Sequence, residues 1–102
     1  MTNPISTDRI AKQFCDTAGE IITGDRAKSH GDAGDNFQNI ADLWSAYLGI
    51  SISASQVSLM MVMLKIARAK MGAFNNDDYV DMCGYAALAG EIAALKEGTP
   101  DE

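Results

Sequence analysis

The stretch Ser53-Ala-Ser-Gln-Val-Ser-Leu-Met-Met-Val-Met-Leu-Lys-Ile-Ala-Arg-Ala-Lys-Met71 decides how this chain folds. It opens on Ser53-Ala-Ser-Gln56, a capping box in which the serine hydroxyl and the glutamine amide each satisfy a backbone donor left over at a helix start. Between Val57 and Ala67 it is apolar on nearly every side, interrupted only by Ser58 and Lys65. The spacing predicts a helix over about 54–71, stopped by Gly72. A helix without a polar face belongs in the centre of a bundle or at an oligomer interface.

Three further helices follow when the reading moves outward. Both prolines, Pro4 and Pro100, lie near the ends, so the strongest helix breaker is absent in between. A first helix is expected from about Thr7 to Thr23, with Ile10, Phe14, Ala18, Ile21 and Ile22 on one side and Gly24 at its end. A second is expected from about Asp35 to Leu48, where Phe37, Ile40, Ala41, Trp44, Tyr47 and Leu48 form an inward stripe, Asp35 caps the start and Gly49 ends it. Trp44 and Tyr47 are read as core. The fourth runs from about Asp77 to Lys96, capped by Asn75-Asn76. Its Gly84 and Gly90 each cost about 1 kcal/mol against alanine, which close approach of a neighbouring helix would offset. The fold class is therefore all-α, a compact bundle of four helices in a single domain over residues 1–102, with 1–6 and 97–102 as loose ends.

Composition narrows the function classes. The 102 residues are 47% hydrophobic and 22% charged, a globular balance, with a net charge of −6. That charge argues against a general nucleic-acid binder, which needs a basic surface to displace counterions. Two cysteines, Cys15 and Cys83, with a single histidine make neither a disulfide framework nor a zinc site. They are expected to be reduced and buried as small hydrophobes. No apolar run reaches the ~20 residues of a membrane span, and the N-terminal residues lack a basic region followed by an apolar one. A soluble, cytoplasmic protein is expected.

The chemistry-bearing residues are the polar ones that break apolar faces. Lys65 and Arg68 share a face of the third helix, with Ser58 two turns earlier. They either pair with a fourth-helix carboxylate or converge on a phosphate, whose oxygens a guanidinium can bind in pairs. Asp77 and Asp78 suit the dipole of the fourth helix, whereas Asp81 lies further in and one turn before Tyr85. Asp78 and Asp81 together admit magnesium, which prefers one or two carboxylates plus ligand phosphates. The loop before the second helix carries Arg26, Lys28 and His30 between glycines that allow amides to turn toward an anion, and Asn36 follows. There is no serine–histidine–acid arrangement and no glycine-rich phosphate loop.

The strings Gly24-Asp-Arg-Ala-Lys-Ser-His-Gly-Asp32, Asn36-Phe-Gln-Asn-Ile-Ala-Asp-Leu-Trp-Ser-Ala-Tyr-Leu-Gly49, Met60-Met-Val-Met-Leu-Lys-Ile-Ala-Arg68 and Asp78-Tyr-Val-Asp-Met-Cys-Gly-Tyr-Ala-Ala87 carry a resemblance. Over about Glu20 to Glu91 the chain is similar to a family of small uncharacterised phage and prophage helical proteins. The layout also resembles the phage nucleotide-modification-associated proteins and, more distantly, the MazG-type all-α nucleoside-triphosphate pyrophosphohydrolases. Those enzymes hold magnesium with E-x-x-E on one helix and E-x-x-D on the next. Here the second helix offers Asn36, Gln38, Asn39 and Asp42, and the third offers Lys65 and Arg68 in place of acids.

The resemblance implies a phage accessory protein that binds a phosphate-bearing nucleotide without turning it over, sequestering a host immune signal. Lys65, Arg68 and the Arg26–His30 loop would hold phosphate, with Tyr85 and Asp81 positioning base or sugar. A divergent magnesium-dependent pyrophosphohydrolase using Asp78 and Asp81 is one alternative. A helical interaction module with no small-molecule ligand is the other. A homo-oligomer is expected in each case.

Overall fold

The computed structural model of the chain describes residues 7–24 and 33–97. Four helices carry them: α1 (Thr7–Thr23), α2 (Ala33–Leu48), α3 (Ala54–Met71) and α4 (Asn76–Glu97). Among the described residues there is no strand. The four helices pack together, so the all-α expectation holds.

Their boundaries follow local chemistry. Ser53 accepts from the Gln56 amide at 3.1 Å while the Gln56 side chain accepts from the Ser53 amide at 2.8 Å, which completes the capping box of α3. At α4, Asn75 is the capping residue, its Oδ1 accepting from the Asp77 amide at 3.0 Å. Gly49 ends α2 at φ +73°, a conformation that a side chain would strain. Gly72 ends α3 differently: its backbone is extended, and its N–H bonds the Arg68 carbonyl at 3.3 Å. Asp35 lies within the first turn of α2, which begins at Ala33, and so is not its cap.

The helix at the centre is α4. Both α3 and α1 pack along it, and α2 lies mainly on α3. The core is made of small side chains: Ala18, Ala41, Ala54, Val57, Val80 and Ala89, with Val57 and Ser58 the largest that are fully buried. Small residues let helix backbones approach closely, and the α1–α4 crossing uses this. A Cβ placed on Gly84 would sit 4.0 Å from the Ala18 Cβ, whereas one on Gly90 would meet nothing within 4 Å. A side chain at Gly84 would thus make only ordinary contact, so close approach does not require either glycine, and neither has a structural explanation.

Of the two places expected for α3, the centre of the bundle is not the one it takes in the single chain: Leu59, Met63, Leu64 and Ile66 are 43–59% exposed, because α4 and α2 cover only part of its circumference. Two burial expectations are corrected. Tyr47 is 88% exposed and Trp44 half-buried. The cause is local, since Ser45 anchors the end of α2 by accepting from the Ile52 amide at 2.8 Å and donating to the Ile52 carbonyl at 3.2 Å. At about 100° per residue, Tyr47 then falls on the opposite side of the helix. Cys15 is exposed and Cys83 half-buried, both free, because they sit at the rim of a narrow contact. The Cys15 thiol nevertheless neighbours Cys83. Beside them Phe14 meets Tyr79 edge-on at 6.1 Å, and Phe74 stacks on Tyr79 at 5.8 Å.

Candidate functional site

The short turn between α3 and α4 makes the two helices antiparallel neighbours. The C-terminal half of α3 therefore faces the N-terminal half of α4. On α3, Ser58, Lys65 and Arg68 recur on the side that meets α4; on α4, Asp78, Asp81 and Tyr85 follow the same logic at spacings of three and four.

The result is a ladder of polar rungs along one seam. At the end away from the turn, Ser55 Oγ donates to the Ala89 carbonyl at 3.2 Å and Ser58 Oγ donates to the Tyr85 carbonyl at 2.7 Å. Toward the turn the rungs become charged: Lys65 Nζ lies 2.9 Å from Asp81 Oδ2, and Arg68 Nε lies 3.3 Å from Asp78 Oδ1. The register is continuous, so each step along α3 toward the turn meets an earlier position of α4. Among the described residues, no buried side-chain nitrogen or oxygen lacks a partner.

The two charged rungs are built oppositely. In the first the ammonium is the hidden member, with Lys65 15% exposed against 35% for Asp81. In the second the carboxylate is hidden: Asp78 is buried while Arg68 is 58% exposed. The Arg68 contact is longer than the 2.7–2.9 Å of a strong charge-assisted bond. Position also favours it, since Asp78 lies in the first turn of α4 and Arg68 in the last turn of α3, each at the end that its charge suits.

Of the residues expected to form a site, the fold brings Lys65, Arg68, Asp78 and Asp81 together. Tyr85 enters the seam through its carbonyl, which accepts from Ser58 and not from the quartet, and its ring sits 6.2 Å from Phe37 of α2. Asn36, next to Phe37, lies on the exposed side of α2. Arg26, Lys28 and His30 lie outside the described residues. No group of three or more histidine, cysteine or acidic side chains that could hold a metal occurs among the described residues. Asp78 and Asp81 each already face a cation, so magnesium would enter only with a phosphate to engage Lys65 and Arg68. A separate cleft of about 160 Å³ lies between α2, α3 and α4, lined by Gln38, Ser53, Ser55, Ile92 and Lys96. It is smaller than the ~300–1,000 Å³ of an ordinary small-molecule site. Sequence reasoning missed the Ser55 rung, although its spacing of three from Ser58 on the same helix was the signal for it.

The four quoted strings that carry the seam and its approach fall inside one stretch of family similarity, residues 13–93, which matches a domain of unknown function, DUF6378. The chain belongs to the DUF6378 family. Its relatives include the Gene 55 protein of Mycobacterium phage L5, 45% identical over 73 residues, which cover 71% of this chain and 47% of that protein. The Gene 55 protein of Mycobacterium phage D29 is 36% identical over 83 residues, 81% of this chain and 55% of the relative. The chain thus spans about half the length of these DUF6378 relatives. No solved structure matches it. These findings support a small phage protein family of unknown function, and none of them carries a likeness to MazG-type enzymes. Among the described residues, no helix is long and apolar enough to cross a membrane.

Proposed function

We propose that this DUF6378 protein binds a phosphorylated small molecule, a nucleotide in the first instance, at the charged end of the α3–α4 seam. The observation that carries the reading is the quartet Lys65, Arg68, Asp78 and Asp81, two cations and two carboxylates on facing helices. Packing alone does not call for it, because apolar replacements of a buried ion pair are often neutral or stabilising. A phosphate with its magnesium offers the same two signs of charge. The phosphate oxygens suit Lys65 and Arg68, and the metal suits Asp78 and Asp81, so a ligand could replace the internal pairs without leaving a charge unmet. Arg68, the most exposed member, is the point of entry.

Thermal unfolding of the full chain with mono-, di-, tri- and cyclic nucleotides, with and without magnesium, tests this. Saturation at about 100 times Kd should stabilise by ~2.7 kcal/mol. Arg68→Met should abolish the ligand-induced shift. Absence of any shift at millimolar nucleotide would defeat the reading. Magnesium-dependent release of pyrophosphate, lost in Asp81→Asn, would replace binding by the pyrophosphohydrolase alternative.

A further inference from the structure

We infer that Cys15 and Cys83 are a reversible thiol modification site, which closes to a disulfide and fastens α1 to α4. Two contacts bracket the pair. On one side Phe14 meets Tyr79 edge-on at 6.1 Å. On the other, a Cβ built on Gly84 lies 4.0 Å from the Ala18 Cβ, inside the ~3.5–4.5 Å that separates the β-carbons of a disulfide. Cys15 follows Phe14 and lies three residues before Ala18, while Cys83 lies four after Tyr79 and directly before Gly84. Spacings of three and four put both cysteines on the helix faces that make these contacts. The crossing of α1 on α4 therefore makes neighbours of two free thiols that are distant in the chain.

The two thiols divide the chemistry between them. Cys15 is exposed and meets the oxidant first, whereas Cys83 is half-buried. Burial, and then the Cys15 thiol itself, push the Cys83 thiol up, which makes Cys83 the poorer first nucleophile. The oxidant is a low-molecular-weight disulfide. The Cys15 thiolate attacks one of its sulfurs, a mixed disulfide forms on Cys15 and the first small thiolate leaves. Cys83 then loses its proton to solvent and attacks the Cys15 sulfur, so the Cys15–Cys83 bond forms and the second small thiolate departs. Two electrons pass from the protein to the oxidant, and the two thiol protons end on the small thiols. Excess small thiol reverses both steps.

The fold gives the bond a consequence. α1 packs along α4 and makes no comparable contact with α2 or α3. Its Ile10 and Ile21 remain 43% and 40% exposed. Oxidation thus locks the helix that packing holds through one face only. This site is independent of the phosphate reading, because Lys65, Arg68, Asp78 and Asp81 meet in the contact of α3 with α4.

The test is incubation of the full chain in glutathione buffers from fully reduced to fully oxidised, read by intact mass, peptide mapping and thermal unfolding. Oxidation should give a single chain lighter by two hydrogens, with one cross-linked peptide that contains both cysteines. Closing a loop of about 70 residues should raise the thermal midpoint by on the order of 10 °C, and dithiothreitol should reverse the rise. Cys15→Ser and Cys83→Ser should each stop at one glutathione adduct without that rise, and the adduct should form faster in Cys83→Ser, which keeps Cys15. Two thiols still free in fully oxidised buffer would overturn the proposal. So would a doubly glutathionylated chain, a disulfide joining two copies, or an internal bond that lowers the midpoint.

Discussion

Ser58 Oγ donates to the Tyr85 carbonyl across the α3–α4 seam at 2.7 Å, from a side chain with no exposed surface. The bond joins residues 27 positions apart and sits beside the fully buried Val57. The Tyr85 carbonyl is a helical acceptor in any case, so the serine serves packing as much as hydrogen bonding. Ser58→Ala should cost about 0.5–1.5 kcal/mol, the net worth of an ordinary internal hydrogen bond. Ser58→Leu should cost more, ~1–3 kcal/mol, because added bulk forces the helices apart. Urea unfolding of both variants gives the order. A leucine variant as stable as the wild type would show that the seam is looser than its geometry.

The opposed burial of the two ion pairs makes a crossed prediction. Arg68→Met leaves Asp78 buried without its cation, whereas Asp78→Leu leaves Arg68 in water, where it is easily hydrated. At the other rung Asp81→Leu strands Lys65, and Lys65→Met leaves a third-exposed carboxylate. Arg68→Met and Asp81→Leu should therefore be the costly members, about 1–3 kcal/mol each, with their counterparts below ~1 kcal/mol. These figures stay under the ~3–5 kcal/mol of a fully buried broken pair, because one partner of each pair meets solvent. Chemical denaturation of the four single variants measures the pattern. Equal losses within each pair would contradict it.

Ser53 and Gln56 satisfy one another's backbone donors at the start of α3. Ser53→Ala should lower stability by about 1 kcal/mol and Ser53→Gly by only a few tenths. Both changes leave the core untouched, so the denaturant slope should stay constant while the midpoint moves.

Burial, and then the neighbouring Cys15 thiol, push the Cys83 thiol above the ordinary thiol range. The folded protein thus holds this proton more tightly than the unfolded chain does. The associated stability is fully present below the ordinary thiol range and declines as pH rises from there through the raised value. A pH series of unfolding free energies should show this decline on the alkaline side, and Cys83→Ala should remove it. Alkylation followed by mass spectrometry should label Cys15 ahead of Cys83. Faster labelling of Cys83 would contradict the direction of the shift.

Local order was legible from the residues alone. Helix existence, and ends to within about two residues, follow from a 3.6-residue periodicity that runs between Ser53, Asn75, Gly49 and Gly72, all signals carried within a few positions of one another. So does the sharing of a face by Ser58, Lys65 and Arg68, because neighbours on a helix are fixed by its pitch. Periodicity marks a face and is silent on what that face meets. Only the antiparallel register of α3 on α4 decided that Lys65 takes Asp81 while Arg68 takes Asp78. Only the packing of α1 on α4 placed Cys15 beside Cys83, 68 positions away along the chain. The same cause exposes Tyr47 and the Leu59–Met63–Ile66 stripe: hydrophobicity asks for cover, and the number and placement of neighbouring helices determine whether a single chain supplies it.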